Sequence, residues 1–247
     1  MMLQGKRAFV SGGGSGVGAE IAVLLAQNGA EVTICGRRPD PLQRAARRHG
    51  RITWTVCDIT DEAAVARAIG DALPDIVVAN AGASESAPLV RTDLEAFRRM
   101  IDVNLTGTFL TLREGARAMS GKPWGRLIAI ASTAGLKGYA YVAPYAAAKH
   151  GVVGLVRSAA QEFAAKGITV NAVCPGFLDT EMTDRSIANI AAKTGCTTSD
   201  ARVRLEALNP MKRLVPPGDV ARTVLWLCGD GSDMITGQAI SISGGET

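Results

Sequence analysis

The chain has 247 residues, 47% hydrophobic and 20% charged, enough to bury the core of one domain at the upper end of single-domain length. Its formal charge of +4 comes from scattered arginines, and pairs such as Arg37-Arg38 and Arg47-Arg48 are too short for a polybasic tract, so nucleic acid is not an expected partner. Five cysteines without a CxxC pair point to reduced thiols in a cytoplasmic protein with no metal site, and no run of about 18 apolar residues would cross a bilayer.

Short apolar or β-branched runs alternate with stretches of helical period. Strands are expected near Ala8-Ser11, Val32-Cys35, Thr53-Cys57, Ile76-Ala79, Arg126-Ala131, Thr169-Val173 and Ala239-Ile242. Helices are expected near Val17-Asn28, Gln43-Arg48, Ala63-Ile69, Leu94-Met119, Pro144-Lys166 and Asp219-Cys228. This alternation predicts an α/β single domain over residues 1–247, a doubly wound seven-stranded parallel sheet with helices on both faces. One insertion, about 176–215, interrupts it after the sixth strand, and Asp179 to Arg213 is expected to be flexible. Ligands of such sheets bind beyond the carboxyl ends of the strands, so the loops after strands hold the candidate residues.

The first of these loops is Ser11-Gly12-Gly13-Gly14-Ser15-Gly16-Val17-Gly18, set between strand and helix as in a Rossmann dinucleotide fold. Glycine permits positive φ and close approach of a pyrophosphate, and the following helix start favours its charge, which makes Gly12, Ser15, Gly16, Val17 and Gly18 candidate cofactor contacts. A plain flexible turn is the bland reading. NAD sites usually place an acid about 20 residues after the glycine turn, but here the second strand ends in Cys35-Gly36-Arg37-Arg38. Guanidinium groups of Arg37 and Arg38 suit a 2′-phosphate, which favours NADP(H) over NAD(H), although both could simply be solvated at a helix entrance. Asp58 could accept from an adenine amino group with Ile59 against the ring, or could cap a helix. Asn80-Ala81-Gly82 would let backbone pass close to the nucleotide.

Tyr145 and Lys149, four residues apart, share a helical face. A tyrosine that titrates near pH ~10 can work as acid or base near neutrality if positive charge favours its phenolate, and Lys149 is placed to supply that charge. His150 points about 100° away from Lys149 and is a poor candidate base. Arg113 and Arg117, one turn apart, read as a solvated face rather than an anion site. Ser132 follows the fifth strand, where it could cap the strand end, with Thr133 a rival hydroxyl.

Together, Gly12, Gly16 and Gly18, Asp58, Asn80-Ala81-Gly82, Asn104, Ser132, Tyr145-Ala146-Ala147-Ala148-Lys149 and Pro175-Gly176 make the sequence resemble the short-chain dehydrogenase/reductase family over nearly its whole length. Ser11, where that family commonly has threonine, and Ala79, where it commonly has asparagine, are mild departures. The resemblance implies an NAD(P)-dependent oxidoreductase that interconverts a ketone and a secondary alcohol. It assigns the substrate oxygen to Ser132, proton exchange to Tyr145, and a relay to solvent through Lys149, water and Asn104. It also places Pro175, Gly176, Leu178 and Thr180 near the nicotinamide. Without it, Asn104 would be read as structural.

The run from Ala131 to Met182 further resembles polyketide ketoreductases and 3-hydroxyacyl-thioester dehydrogenases, but Ala83-Ser84-Glu85-Ser86 replaces the polyketide group's Pro-Gly-Gly stretch. A 3-oxoacyl thioester or a cyclic or aromatic ketone is the expected small-molecule substrate. Its shape would be set by Leu136 to Val142, the residues after Gly82 and the insertion. Tyr139 and Tyr141 could line that pocket or pack at an oligomer contact; the resemblance implies a homotetramer. The alternative is a catalytically silent nucleotide-binding sensor or partner subunit on the same fold, against which the intact Asn104, Ser132, Tyr145 and Lys149 argue.

Overall fold

The computed structural model describes residues 1–247. Its strands are β1 (Arg7–Ser11), β2 (Glu31–Gly36), β3 (Ile52–Val56), β4 (Ile76–Ala79), β5 (Gly125–Ile130), β6 (Ile168–Pro175) and β7 (Ala239–Ile242). They form one parallel sheet in the order β3-β2-β1-β4-β5-β6-β7. The chain leaves β1 toward β2 and returns on the other side through β4, so the order reverses between β1 and β4. A crevice opens there at the carboxyl edge.

Helices α1 (Gly16–Gln27), α2 (Pro39–Ala46), α3 (Glu62–Ala72), α4 (Leu94–Ile101), α5 (Gly107–Ala118), α6 (Ala143–Phe163), α7 (Glu181–Thr194), α8 (Thr198–Glu206) and α9 (Pro217–Cys228) complete the fold. Central strands are apolar at nearly every position because both faces are covered. Phe9, Val77, Leu127 and Val170 point into a cluster of 23 buried residues that also takes Val152 and Val156 of α6. Their neighbours Val10, Val78 and Ile128 point the other way, into 27 residues shared with α1 and α9. Strand alternation thus divides one apolar run between two half-cores. No helix is long and apolar enough to cross a membrane.

Two expectations need correction. The helix read over Leu94-Met119 is divided, because Asp102–Thr106 forms a π-helical turn between α4 and α5. The cause is Asn104, whose amide donates both to Met100 O within the helix (3.0 Å) and to Ala83 O outside it (2.9 Å). Asp179 to Arg213, expected to be flexible, is largely helical. Gly195, at φ 72°, ends α7, and Thr197 and Asp200 form a reciprocal capping box that starts α8. Ile187, Ala201, Leu205 and Leu214 give these two helices a small core of their own. The insertion is closed at its base, where Leu178 bridges Val215. Smaller shifts occur elsewhere: α2 starts at Pro39 rather than Gln43, since proline suits a first helical turn.

Candidate active site

The glycine turn is held from below by the exit of β4. Asn80 Nδ2 donates to Ser11 O (2.9 Å) and Gly12 O (3.3 Å), while Ser11 Oγ accepts from the amides of Asn80 (3.0 Å) and Ala81 (3.1 Å). Ser11, noted in the sequence only as a departure, therefore locks the crevice shut beneath the turn. Gly18 must be glycine: a Cβ there would lie 2.4 Å from Gly12 O and 2.5 Å from Asn80 Nδ2. Above the turn, α1 opens with no acidic residue in its first turn, and Ser15 makes no side-chain cap. Uncapped amides and a backbone bare of side chains at Gly12, Gly13, Gly14 and Gly16 fit the pyrophosphate of a dinucleotide.

Arg37 and Arg38 lie exposed at the end of β2 and enter no ion pair, so both guanidinium groups are free for a ligand. Asp58 forms a local turn, accepting from Thr60 N (3.0 Å) and Oγ1 (2.8 Å). The Thr60 amide bond holds its carboxyl below the usual range, against burial, with help from the Thr60 hydroxyl and Arg37. Ile59 is buried, its side chain against Gly107.

Beside the crevice, β5 delivers Ser132 in extended backbone, its Oγ accepting from Ala134 N at 3.1 Å. The cap reading is therefore real, and the hydroxyl proton is left for another partner. α6 presents Tyr145 and Lys149 on one face. Lys149 is 3% exposed; its Nζ donates to Ile130 O at 2.8 Å and sits 5.7 Å from the Tyr145 ring centroid. Gly82 marks where the pieces meet: a Cβ there would be 2.8 Å from Asn104 Oδ1 and 3.7 Å from Lys149 Nζ. Asn104, fully buried, also accepts from Ala83 N at 3.2 Å, tying the segment after β4 to the π-turn.

The electrostatics differ from the simple expectation for Tyr145. Burial raises its phenol above the ordinary value, with the Ser132 hydroxyl working in the opposite direction. Burial also brings the Lys149 ammonium down to about 8, with the Cys174 thiol working in the opposite direction. Desolvation outweighs mutual charge here. A protonated phenol beside a readily deprotonated amine is suited to giving a proton to an alkoxide.

β6 ends in Pro175-Gly176, whose amide donates to Ile242 O at 3.0 Å. Thr180 stands at the N-cap position of α7 without a side-chain cap bond, and its Cγ2 lies 3.7 Å from where a Gly16 Cβ would be, so it overhangs the glycine turn. Leu178 packs partly buried against the core. His150 is turned away, exposed, with Nδ1 2.9 Å from Ala146 O. Arg113 and Arg117 both pair with Glu114 at 2.8 Å, a surface network and not an anion pocket. Tyr141 is exposed, whereas the Tyr139 hydroxyl lies 2.6 Å from both Thr133 Oγ1 and Glu246 Oε1. Glu246 was not foreseen, since no motif marks a carboxylate so distant in sequence.

The family model described as "Enoyl-(Acyl carrier protein) reductase" matches residues 12–247, and the chain belongs to the short-chain dehydrogenase/reductase family. It is an oxidoreductase acting between CH-OH and C=O with a nicotinamide cofactor. Among relatives, it is 39% identical to cis-4-hydroxycyclohexanecarboxylate dehydrogenase of Sinomonas cyclohexanicum, over 97% of this chain and 96% of that protein. It is 34% identical to the 3-oxoacyl-[acyl-carrier-protein] reductase FabG of Rickettsia conorii, over 98% and 97%. Among solved structures, a variant actinorhodin polyketide ketoreductase crystallised with NADPH superposes with a TM-score of 0.93 at 34% identity, covering 100% of this chain and 99% of that one.

Proposed function

We propose that this protein acts on a 3-oxoacyl thioester or a cyclic or aromatic ketone, with NADP(H) preferred to NAD(H). The observation that carries the reading is the meeting of Ser132, Tyr145 and Lys149 beside a glycine-rich cradle. The bound cofactor supplies or removes the hydride. Ser132 holds the substrate oxygen through its remaining hydroxyl proton. Tyr145 gives that oxygen a proton in reduction and takes one in oxidation, and Lys149 refills the phenol from solvent by way of water at Asn104. Exposed, unpaired Arg37 and Arg38 supply the phosphate preference. Gly12, Ser15, Gly16, Val17, Gly18, Asp58, Ile59 and Asn80 to Gly82 form the nucleotide side of the site, and Pro175, Gly176, Leu178 and Thr180 the nicotinamide side. Residues 1–247 act as one domain, in the cytoplasm, as a homotetramer; a solution mass near 25.7 kDa would overturn the last point.

The test is NADPH consumption against acyl-thioester, cyclic and aromatic ketones, repeated with NADH. Wild type turns over at least one class, and Tyr145→Phe loses about 100-fold or more in kcat, the lower end of what a positioned acid contributes. Equal turnover by both proteins would sink the mechanism. A higher kcat/KM with NADH would reverse the cofactor assignment.

A further inference from the structure

Two segments flank the reacting atoms: the one after β5, carrying Ser132, and the one after β6, carrying Gly176. Glu246 lies between them, hydrogen-bonded on one side and packed against the other. Glu246 Oε1 is 2.6 Å from the Tyr139 hydroxyl, which is 2.6 Å from Thr133 Oγ1, the neighbour of Ser132. Its other oxygen would lie 3.3 Å from a Cβ on Gly176. The Tyr139 ring meets Phe177 edge-on, with centroids 6.1 Å apart.

The proton count gives this chain a direction. A carboxylate only accepts, so Tyr139 spends its proton on Glu246, and Thr133 donates to Tyr139. The Glu246 side chain is 3% exposed, and its charge is met by Lys137 Nζ at 3.0 Å. That ammonium also lies 5.0 Å from the centre of the Tyr139 ring. A carboxylate this buried is costly without partners, so the bonds to Tyr139 and Lys137 hold it in place. Its own segment is fastened to β7, where Thr247 Oγ1 lies 2.5 Å from Ser241 Oγ.

We infer that Glu246 is a positioning residue for hydride transfer: by tying Tyr139 and Thr133 to the Gly176 segment, it fixes the distance between the substrate oxygen at Ser132 and the nicotinamide side of the site. This rests on the ketone–alcohol reading above. Small displacements of reacting groups are expensive in rate, up to roughly 100-fold for about 1 Å. The carboxylate is almost wholly enclosed by its own partners, so its removal is expected to act on kcat rather than on cofactor binding.

The test compares Glu246→Ala, Glu246→Gln and Tyr139→Phe with wild type by steady-state kinetics and by amide hydrogen exchange without substrate. Glu246→Ala is expected to lower kcat about tenfold, within the range for misplacement, while the KM for NADPH stays nearly unchanged. Glu246→Gln, whose amide oxygen still accepts from Tyr139, recovers most of that loss. Tyr139→Phe, which removes only the linking hydroxyl, resembles Glu246→Ala. Exchange in 133–142 rises in Glu246→Ala and Tyr139→Phe, with strands β1 and β4 unaltered. Wild-type kcat in Glu246→Ala, or a loss confined to the KM for NADPH, overturns the inference. If wild type reduces no ketone, the ketone–alcohol reading fails, while unchanged exchange in 133–142 would still reject the tie itself.

Discussion

The crevice between β1 and β4 and the insertion after β6 are built on opposite plans. At the crevice, Ser11, Asn80 and Gly18 interlock through backbone contacts with almost no tolerance, and the strands beneath belong to both large half-cores. The insertion is joined at its feet by the Leu178–Val215 bridge, is hydrogen-bonded to the segment after β4 through Asn189 and Lys193 at Ser86, and keeps a core of four buried residues. The crevice is thus bound to global stability, whereas the insertion can open locally at lower cost. On the proposed assignment of the crevice to the cofactor and the insertion to the substrate, chemistry and selectivity can be carried by one chain without compromising each other.

The contrast can be broken most forcefully at Gly18. Gly18→Ala drives a methyl group into Gly12 O and Asn80 Nδ2, and overpacking of this kind costs about 1–3 kcal/mol. Both readouts are expected to move: Tm falls by several degrees, and the Kd for NADPH, followed by its fluorescence, rises roughly tenfold or more. If Tm falls with Kd unchanged, the crevice is a structural joint only.

A second measurement sharpens the electrostatic side. Burial depresses the Lys149 ammonium to about 8 in the folded protein, below its value near 10.4 in an unfolded chain. Between those values the unfolded state binds more protons, so this group adds stability as pH rises from 8 toward 10 and is a net cost below 8. The change is on the order of 3 kcal/mol across that window. Urea midpoints of cofactor-free wild type and Lys149→Met should converge or cross as pH rises from 7 to 10, in wild type's favour. A difference independent of pH would show that Lys149 does not titrate in this window.

The smallest global effect is expected in the insertion. Leu205→Ala empties part of the satellite core, for about 2 kcal/mol locally. Hydrogen exchange over 181–206 should accelerate and KM for a ketone should shift, while the Tm of the whole protein moves little. A fall in Tm as large as that of Gly18→Ala would erase the proposed division.

What could be read from the sequence follows the same division. Tyr145 and Lys149 share a helix face by spacing alone, and the glycine turn announces itself by lying between a strand and a helix. The π-turn at Asn104 was hidden because its cause, Ala83, lies 21 residues away and leaves no local pattern. α7 was missed for another reason. It buries only Thr183 and Ile187, too few apolar positions for a helical period to stand out. For α8 a signal existed in Thr197 and Asp200, a box spacing ahead of a polar stretch. Glu246 meets Tyr139 across 107 residues, a contact that only the parallel sheet brings about.

The Leu178–Val215 bridge has one more consequence. Because it joins the two feet of the insertion, the span between them is a closed loop whose ends stay neighbours whatever its length. Doubling such a loop costs only about 0.6 kcal/mol in closure entropy. If, as proposed, the insertion lines the substrate site, substrate range can be rewritten by grafting, as an exchangeable cassette between fixed posts, while the register of β6 remains where it is.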